Sequence, residues 1–423
     1  MDFISSKNIF LLTRDTLKLM GKEIMKHGSR TGYIFYKMLQ QRGGYEKFEM
    51  AELVMLATLH DIGAYKTDHN RDMLEFETKG NMPHAVYGYL FLKYLSPMEE
   101  KSKILLYHHA DYAKIKNSVY TYREEAAFLA LAEEIDLYKE VLGEKFDFSL
   151  LEKHAGIKYS EEALELFRKA DRECDIFEQI RTENYEKELD GLMDYIMFTN
   201  EEKKRYMEML MYCLGLCAPA KVVDSVTGIC ICEELASRLY LEEKEIEKLY
   251  YGALLHDIGM LAIPKEILEV KRALTPEETK IMRTHVEISE KILKNRLDQE
   301  VLDIATAHHE RLDGSGYPKG IKEISMNLSQ KILQVADTVT GLVNERVYKQ
   351  VFDREDTIVL LKKEADQRHF SKQVVDTMIL FYDDIIEKVK IESGQILLLH
   401  RKLEQQYELV FEKYSKKQTG EKV

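Results

Sequence analysis

The chain has 423 residues, a formal net charge of −13, 45% hydrophobic residues and 32% charged residues. Its length exceeds what one hydrophobic core usually organises, so at least two domains are expected. The acidic balance excludes the basic surface of a protein that binds duplex nucleic acid. No apolar run reaches the roughly 18 residues of a membrane-spanning helix, so no membrane insertion is expected.

Composition also indicates the fold class and the compartment. Only six prolines occur, and Glu, Lys, Leu and Ile are abundant, which predicts an all-α protein. The five cysteines form no paired CxxC pattern and are interpreted as reduced residues. The apolar run at the N-terminus is too short for a signal peptide, so a cytoplasmic location is expected.

The first half of the chain contains an ordered series of histidines and acidic residues. The series is His27, His60, Asp61, His84, His108, His109 and Glu133. His27 lies in an amphipathic helical pattern, and Ser96 with Glu99 matches a capping box that would open the helix before the paired histidines. Imidazole and carboxylate groups are ligands of transition metals, so one interpretation is a metal centre. The other is a structural or ligand-sensing relic of such a centre.

The second half repeats this order, which indicates an internal duplication. Its series is Asp224, His256, Asp257, His285, His308, His309 and Asp337. LATLHDIGAY matches YGALLHDIGML, and LLYHHADYAK matches ATAHHERLDG. The predicted domains are residues 1–195, 203–381 and a C-terminal helical extension at 382–423. Thr275 and Glu278 form a predicted capping box for the helix that carries His285.

The stretch HHERLDGSGYP, His308 to Pro318, is the most distinctive part of the chain. Two successive histidines cannot share one face of a helix, because their side chains diverge by roughly 100°. A helix is therefore predicted to end there. The following glycines and proline supply turn chemistry, since glycine adopts positive φ and proline fixes its own φ.

These motifs together resemble the HD-GYP family of cyclic di-GMP phosphodiesterases, which are HD-superfamily metal-dependent phosphohydrolases. The resemblance implies tandem all-α HD-domain bundles, of which the second is of the HD-GYP type. It also implies hydrolysis of a cyclic dinucleotide, cyclic di-GMP above all, to a linear product at a two-metal site in the second bundle. The first bundle lacks the GYP motif and resembles a plain HD domain.

The resemblance further assigns roles to the second series. Asp257 would bridge two divalent ions and act with His256 in catalysis. His256, Asp337 and Asp224 would hold one ion, and His285, His308 and His309 the other. Such a mixed imidazole and carboxylate set suits iron or manganese, with magnesium as an alternative. The residues implied to contact substrate or a partner domain are Arg311, Asp313, Gly314, Gly316, Tyr317, Pro318, Lys331 and Arg346.

Three departures from the family pattern predict weakened rather than absent activity. Asp224 stands where the family has a histidine, Met260 replaces a lysine, and Lys331 replaces an arginine. Two alternatives therefore stay open beside hydrolysis in the second bundle. One is a module that binds the nucleotide without turnover, and the other is catalysis in the first bundle.

The C-terminal extension predicts an amphipathic helix, because apolar residues recur in it at three-, four- or seven-residue steps. Val389, Leu403 and Tyr407 belong to this stripe. The stripe would pack back on its own chain or pair with a second copy in a homodimer. A diguanylate cyclase or another signalling protein is a further candidate partner.

Overall fold

The computed structural model describes residues 3–67, 82–270, 272–344 and 352–419, which are helical apart from connecting loops. Within these ranges no β-strand occurs, and the two β-bridges are isolated. The predicted all-α fold is confirmed. No helix in the described ranges combines the length and apolar character needed to cross a membrane.

The described residues form two compact units. The N-terminal unit contains Ile9–Tyr206 together with the chain from Lys402 onward, and the C-terminal unit contains Met207–Arg401 together with the residues before Ile9. The division at Tyr206 and Met207 lies a few residues beyond the boundary expected from sequence. The expected extension at 382–423 is divided between the units, because the helix Tyr382–Thr419 contributes residues to both.

The N-terminal half folds into short and medium helices joined by tight turns. The α-helices are Ser6–Met20, Lys22–Arg42, Lys47–Thr58, Ala64–Thr67, Met82–Leu95, Lys103–Tyr107, Tyr112–Ile115, Arg123–Leu142, Ser149–Glu152, Glu161–Cys174, Ile176–Arg181 and Asn184–Leu192. Two 3₁₀ turns, Gly143–Lys145 and Met193–Tyr195, follow helix ends.

The C-terminal half repeats this pattern and adds the long terminal helix. Its α-helices are Asn200–Cys217, Pro219–Arg238, Glu243–Leu255, Lys265–Leu268, Pro276–Leu293, Gln299–Thr306, Leu328–Val343, Arg354–Asp366, Lys372–Leu380 and Tyr382–Thr419. Short 3₁₀ turns occur at Ile258–Ala262 and Glu323–Ser325.

Corresponding helices pack in the same way in the two units. Lys22–Arg42 packs against Lys47–Thr58 and Arg123–Leu142. In the C-terminal unit, Pro219–Arg238 packs against the equivalent helices, Glu243–Leu255 and Leu328–Val343. This shared arrangement brings residues that are distant in sequence to one point in each unit.

The two predicted capping boxes have different outcomes. Thr275 and Glu278 form theirs, with Pro276 in the first turn of the helix. The box predicted at Ser96 and Glu99 is wrong, because the helix before the paired histidines begins only at Lys103. Ser96 Oγ instead donates to the carbonyl of Leu92 and accepts from the amide of Met98, which closes a turn.

The terminal helix packs against its own chain. Within the C-terminal unit Ile385 and Val389 are buried, and within the N-terminal unit Leu403 is buried. The ring of Tyr407 lies 5.8 Å from that of Tyr87. This packing corresponds to the first of the two alternatives for the stripe, and pairing between two copies stays a prediction.

Candidate metal centres

In the C-terminal unit, three helix segments bring the predicted ligands together. His256 and Asp257 directly follow the helix Glu243–Leu255, and His285 lies within the helix Pro276–Leu293. The close approach depends on Gly259, where a Cβ atom would lie 2.1 Å from the carbonyl oxygen of His285. A side chain at this position would therefore separate the two segments.

The histidines of this unit share one orientation. The Nδ1 atoms of His256, His285 and His308 lie 2.7, 2.6 and 2.7 Å from the carbonyl oxygen three residues earlier. A neutral imidazole carries one proton, and here it is donated from Nδ1 to the backbone. Each Nε2 atom therefore presents a lone pair, which is the form that binds a metal ion.

These lone pairs converge on Asp257. Its Oδ1 lies 3.4 Å from Nε2 of His285 and 3.9 Å from Nε2 of His308, while its Oδ2 lies 3.7 Å from Nε2 of His256. The Nε2 atoms of His285 and His308 are only 3.2 Å apart. Among the described residues, Oδ1 of Asp257 is buried without a hydrogen-bond donor. Such a convergence of acceptors fits a bound cation.

Electrostatics maintains the ligand forms of these groups. Burial lowers the pKa of His285 and His308, and it lowers the pKa of His309 to about 3. Burial alone would raise the pKa of Asp257, but Lys221 and the neighbouring histidines lower it well below its usual range. The imidazoles are therefore neutral and the carboxylate is ionised near neutral pH.

The two remaining acidic ligands lie at the edge of this centre. Asp337 is 3.8 Å from Nε2 of His256 through Oδ1 and 3.6 Å from Nδ1 of His309 through Oδ2. Asp224 accepts a hydrogen bond of 2.8 Å from Asn344. Its other oxygen faces the ammonium group of Lys221 at 3.7 Å. Both aspartates therefore border the centre, as the sequence predicted.

The N-terminal unit assembles a second centre from the first series. One group of potential ligand atoms consists of His60, Asp61, His108 and Glu133, and another of His84, His108 and His109, with the atoms of each group within 4.8 Å of one another. Both oxygens of Asp61, with Nε2 of His60 and of His108, are buried without a hydrogen-bond partner among the described residues. A divalent ion fits this set as well.

His27 completes the N-terminal centre through a neighbouring carboxylate. Its Nδ1 lies 2.8 Å from Oδ2 of Asp136, and its Nε2 lies 3.9 Å from Asp61. Arg30 donates to both oxygens of Asp136, at 2.7 and 2.8 Å. This is the carboxylate–histidine arrangement that orients a metal ligand.

The two centres differ in exposure. In the C-terminal centre the side chains of His309 and Asp337 are each 25% exposed. Their counterparts in the N-terminal centre, His109 and Glu133, are 13% and 2% exposed. A ligand from solvent therefore reaches metal-binding side chains more readily in the C-terminal unit.

The GYP turn packs directly against the C-terminal centre. The ring of Tyr317 lies 4.7 Å from that of His309, and Arg283 lies 4.7 Å above the tyrosine ring. Gly314 has a φ of +86°, as the turn chemistry predicted. Gly316 serves close packing instead, because a Cβ there would lie 2.3 Å from the amide nitrogen of Arg311.

A buried carboxylate holds this turn in place. Glu310 is fully buried, and its two oxygens accept the backbone N–H groups of Lys319 at 2.7 Å and Ile321 at 2.9 Å. Sequence reasoning did not single out this residue. It also missed Asp136, although that residue lies one helical turn after Glu133 and on the same helix face.

The other residues predicted to contact substrate have different surroundings. Arg311 lies over the ring of Phe370 at 4.7 Å. Asp313 accepts hydrogen bonds from the backbone and hydroxyl of Ser315, which closes the turn. Lys331 pairs with Glu323 at 3.6 Å, and the contacts of these side chains thus involve neighbours other than the metal ligands. Arg346 lies outside the described residues.

Comparison with known proteins agrees with this arrangement. Residues 209–374 match the family model described as HD domain. Over 407 residues the chain is 27% identical to 3'3'-cGAMP-specific phosphodiesterase 1 of Vibrio cholerae, covering 89% of this chain and 91% of that protein. It is 33% identical over 165 residues to a cyclic di-GMP phosphodiesterase of Thermotoga maritima, covering 38% of this chain and 44% of that protein.

A solved structure shares the fold over nearly the whole chain. The crystal structure of a cyclic GMP-AMP specific phosphodiesterase of Vibrio cholerae matches with a TM-score of 0.56 at 14% identity, covering 90% of this chain and 98% of that one. The chain spans less than half the length of the Thermotoga relative but nearly all of the first Vibrio protein. The chain therefore belongs to the HD-domain family of phosphodiesterases, and its second half carries the HD-GYP signature.

Proposed function

We propose that the C-terminal unit hydrolyses a cyclic dinucleotide to a linear product. The observation that carries this proposal is the position of Asp257, whose Oδ1 faces His285 and whose Oδ2 faces His256. A carboxylate can bridge two ions because it has two oxygens, whereas each imidazole binds one ion through one nitrogen. The partly exposed His309 gives this centre an open side.

The ligand set supports two divalent ions per centre, iron or manganese, with magnesium as an alternative. Bound ions would supply an activated water and stabilise charge on the phosphoryl oxygens. His285, His308 and His309 would hold one ion, and His256 with Asp337 and Asp224 the other. Asp257 would serve both.

The protein's own groups orient the substrate. The three histidines that donate Nδ1 to the backbone keep their rings fixed, so the ligand geometry is preorganised. The GYP turn, held by Glu310, places the ring of Tyr317 beside His309. We propose that this ring and the turn border the bound nucleotide, with a base or ribose packing against them.

The relatives support a guanine-containing cyclic dinucleotide. Cyclic di-GMP remains the proposed substrate, because several relatives are named for its hydrolysis. 3'3'-cGAMP is the comparison substrate, because the relative that matches nearly the full chain is named for that nucleotide. A diguanylate cyclase or another signalling protein stays a proposed partner on the basis of the family resemblance.

One observation favours a second candidate, hydrolysis in the N-terminal unit. Its centre contains the more complete set of buried ligand atoms lacking hydrogen-bond partners among the described residues, including both oxygens of Asp61. This candidate is an enzyme in which the N-terminal centre acts on a phosphate ester and the C-terminal centre binds nucleotide. Its limited exposure at His109 and Glu133 argues for the C-terminal centre as the first choice.

The test is incubation of anaerobically purified protein with cyclic di-GMP and, separately, 3'3'-cGAMP, with added manganese or ferrous iron. Products are separated chromatographically and identified by mass. We expect a linear dinucleotide that is absent when a chelator removes the metal. Bound nucleotide without any product after long incubation would instead favour a binding module.

A further inference from the structure

Lys221 places an ammonium group inside the C-terminal centre. Its Nζ lies 3.4 Å from Oδ2 of Asp257 and 3.7 Å from Oδ2 of Asp224. Lys221 precedes Asp224 by three residues on the helix Pro219–Arg238, one turn away on the same face. The N-terminal centre has Ile24 at the corresponding position, three residues before His27. The cation is therefore a specific feature of the C-terminal centre.

The charges of the two centres explain why a cation is tolerated here. The carboxylates that border the centres are Asp61 and Glu133 in the N-terminal unit, and Asp224, Asp257 and Asp337 in the C-terminal unit. The third carboxylate arises where the N-terminal unit has the neutral His27. Lys221 offsets that extra negative charge, so the two sets carry the same formal charge toward bound ions.

The geometry of Lys221 differs from that of a fixed structural ion pair. Both its distances exceed the 2.7 to 3.0 Å of a direct charged hydrogen bond, such as that from Arg30 to Asp136 at 2.7 Å. Its side chain is 22% exposed. Divalent ions bound by Asp224 and Asp257 would repel the ammonium group, which then needs another anion within its reach.

We propose that Lys221 is a specificity-determining residue that donates a hydrogen bond to a phosphate oxygen of the cyclic dinucleotide. This inference rests on the proposed function of the same centre and adds the residue that recognises the phosphate. The position after the HDIG motif carries the buried, uncharged Met260, so it provides no cation. Lys221 reaches the centre from a different helix and fills this role.

The test measures nucleotide binding and metal content separately. A phosphorothioate analogue of cyclic di-GMP, which resists hydrolysis, is titrated into manganese-loaded wild type and the variants Lys221→Met and Lys221→Arg. The control is Lys388→Met, which removes a cation of the same unit that is 48% exposed and pairs with Glu234. Bound manganese is quantified in every sample.

We expect Lys221→Met to weaken analogue binding about tenfold or more, the loss typical of a charge-assisted hydrogen bond. Its manganese content stays equal or rises, because a neighbouring positive charge is gone. Lys221→Arg and Lys388→Met bind within about threefold of wild type, a range smaller than one such bond. Opposite effects on metal and nucleotide would distinguish recognition from a structural role.

Two results would overturn the inference while leaving the proposed function in place. One is wild-type affinity in Lys221→Met, and the other is parallel loss of manganese and analogue, which would mean that Lys221 only positions Asp224. If wild type itself binds no analogue and turns over neither nucleotide, the proposed function fails and this inference with it.

Discussion

His27 and Asp136 form the most firmly held ligand pair of the N-terminal centre, with 2.8 Å between Nδ1 and Oδ2. The bidentate bond from Arg30 holds the carboxylate, so the ring of His27 cannot rotate without breaking a buried network. In the C-terminal unit the corresponding residue is Asp224, held by Asn344 instead. The duplicated centres thus orient their first ligand through different second partners.

The Asp136→Asn variant tests this network. It removes the charge that orients His27, so the N-terminal centre should bind manganese about 10- to 100-fold more weakly. Chelator competition measures the affinity in an Asp257→Ala background, where the C-terminal centre contributes least. The matched control is Asp111→Asn, which affects a pair with Lys114 at the surface. Equal affinities for both variants would contradict the assigned role.

Gly259 should be intolerant of any side chain. In Gly259→Ala the added methyl would lie 2.1 Å from the carbonyl oxygen of His285 and 2.8 Å from the amide of Ser289, so the helices must separate. We expect a loss of about 1 to 3 kcal/mol in the free energy of unfolding, typical of overpacking. Bound metal in the C-terminal centre should fall as well, because His285 moves away from Asp257.

A helical glycine without close neighbours provides the control. A Cβ atom added at Gly394 would meet no described heavy atom within 4 Å, so Gly394→Ala should leave metal content unchanged and stabilise the helix by roughly 0.5 to 1 kcal/mol. Thermal unfolding and metal analysis are run on both variants. Equal stability of the two variants would be incompatible with the packing described here.

Glu310→Gln should disturb the GYP turn and spare the metal ions. The amide nitrogen of glutamine cannot accept a backbone N–H, so the amide of Lys319 or Ile321 loses its buried acceptor. We expect a cost of about 1 to 3 kcal/mol in stability and a raised KM, with normal metal content. Glu323→Gln, at a 53% exposed residue of the same segment, is the control. Normal KM in Glu310→Gln would argue against a role of the turn in substrate binding.

Acid should destabilise the metal-free protein. Burial lowers the pKa of His309 to about 3, whereas an unfolded histidine titrates near 6.5. Below about pH 6.5 the unfolded chain therefore binds a proton that the folded chain does not, and stability falls as the pH falls toward about 3. The slope per histidine is at most about 1.4 kcal/mol per pH unit.

Denaturant unfolding of the chelated protein between pH 4 and 7 measures this dependence. His309→Gln should reduce the slope, because the residue that takes up a proton on unfolding is gone. The exposed His154 receives the same substitution as a control. A slope that His309→Gln leaves unchanged would show that its burial does not contribute to acid sensitivity.

The sequence predicted the parts of the site that depend on local pattern. The repeated order of His60, Asp61, His108 and Glu133 in the first half indicated one cluster of ligand atoms, and the structure brings these residues together. The capping box at Thr275 was also predictable, because it depends on residues three positions apart.

Other features depend on packing between distant segments and could not be predicted in the same way. Asn344 binds Asp224 across 120 residues of sequence. Lys221 reaches Asp257 only because the helices Pro219–Arg238 and Glu243–Leu255 pack together. The capping box at Ser96 matched the sequence pattern, but the hydroxyl closes a turn with Leu92 instead. Tertiary contacts decided each of these outcomes.

The central claim, hydrolysis at the C-terminal centre, is tested most directly by comparing Asp61→Ala with Asp257→Ala. Turnover of cyclic di-GMP and 3'3'-cGAMP is measured for wild type and both variants after anaerobic purification, with bound metal quantified. The account predicts that Asp257→Ala abolishes turnover and loses metal from its own centre, while Asp61→Ala keeps hydrolysing the nucleotide. Activity that survives Asp257→Ala and disappears in Asp61→Ala would contradict it and assign catalysis to the N-terminal centre.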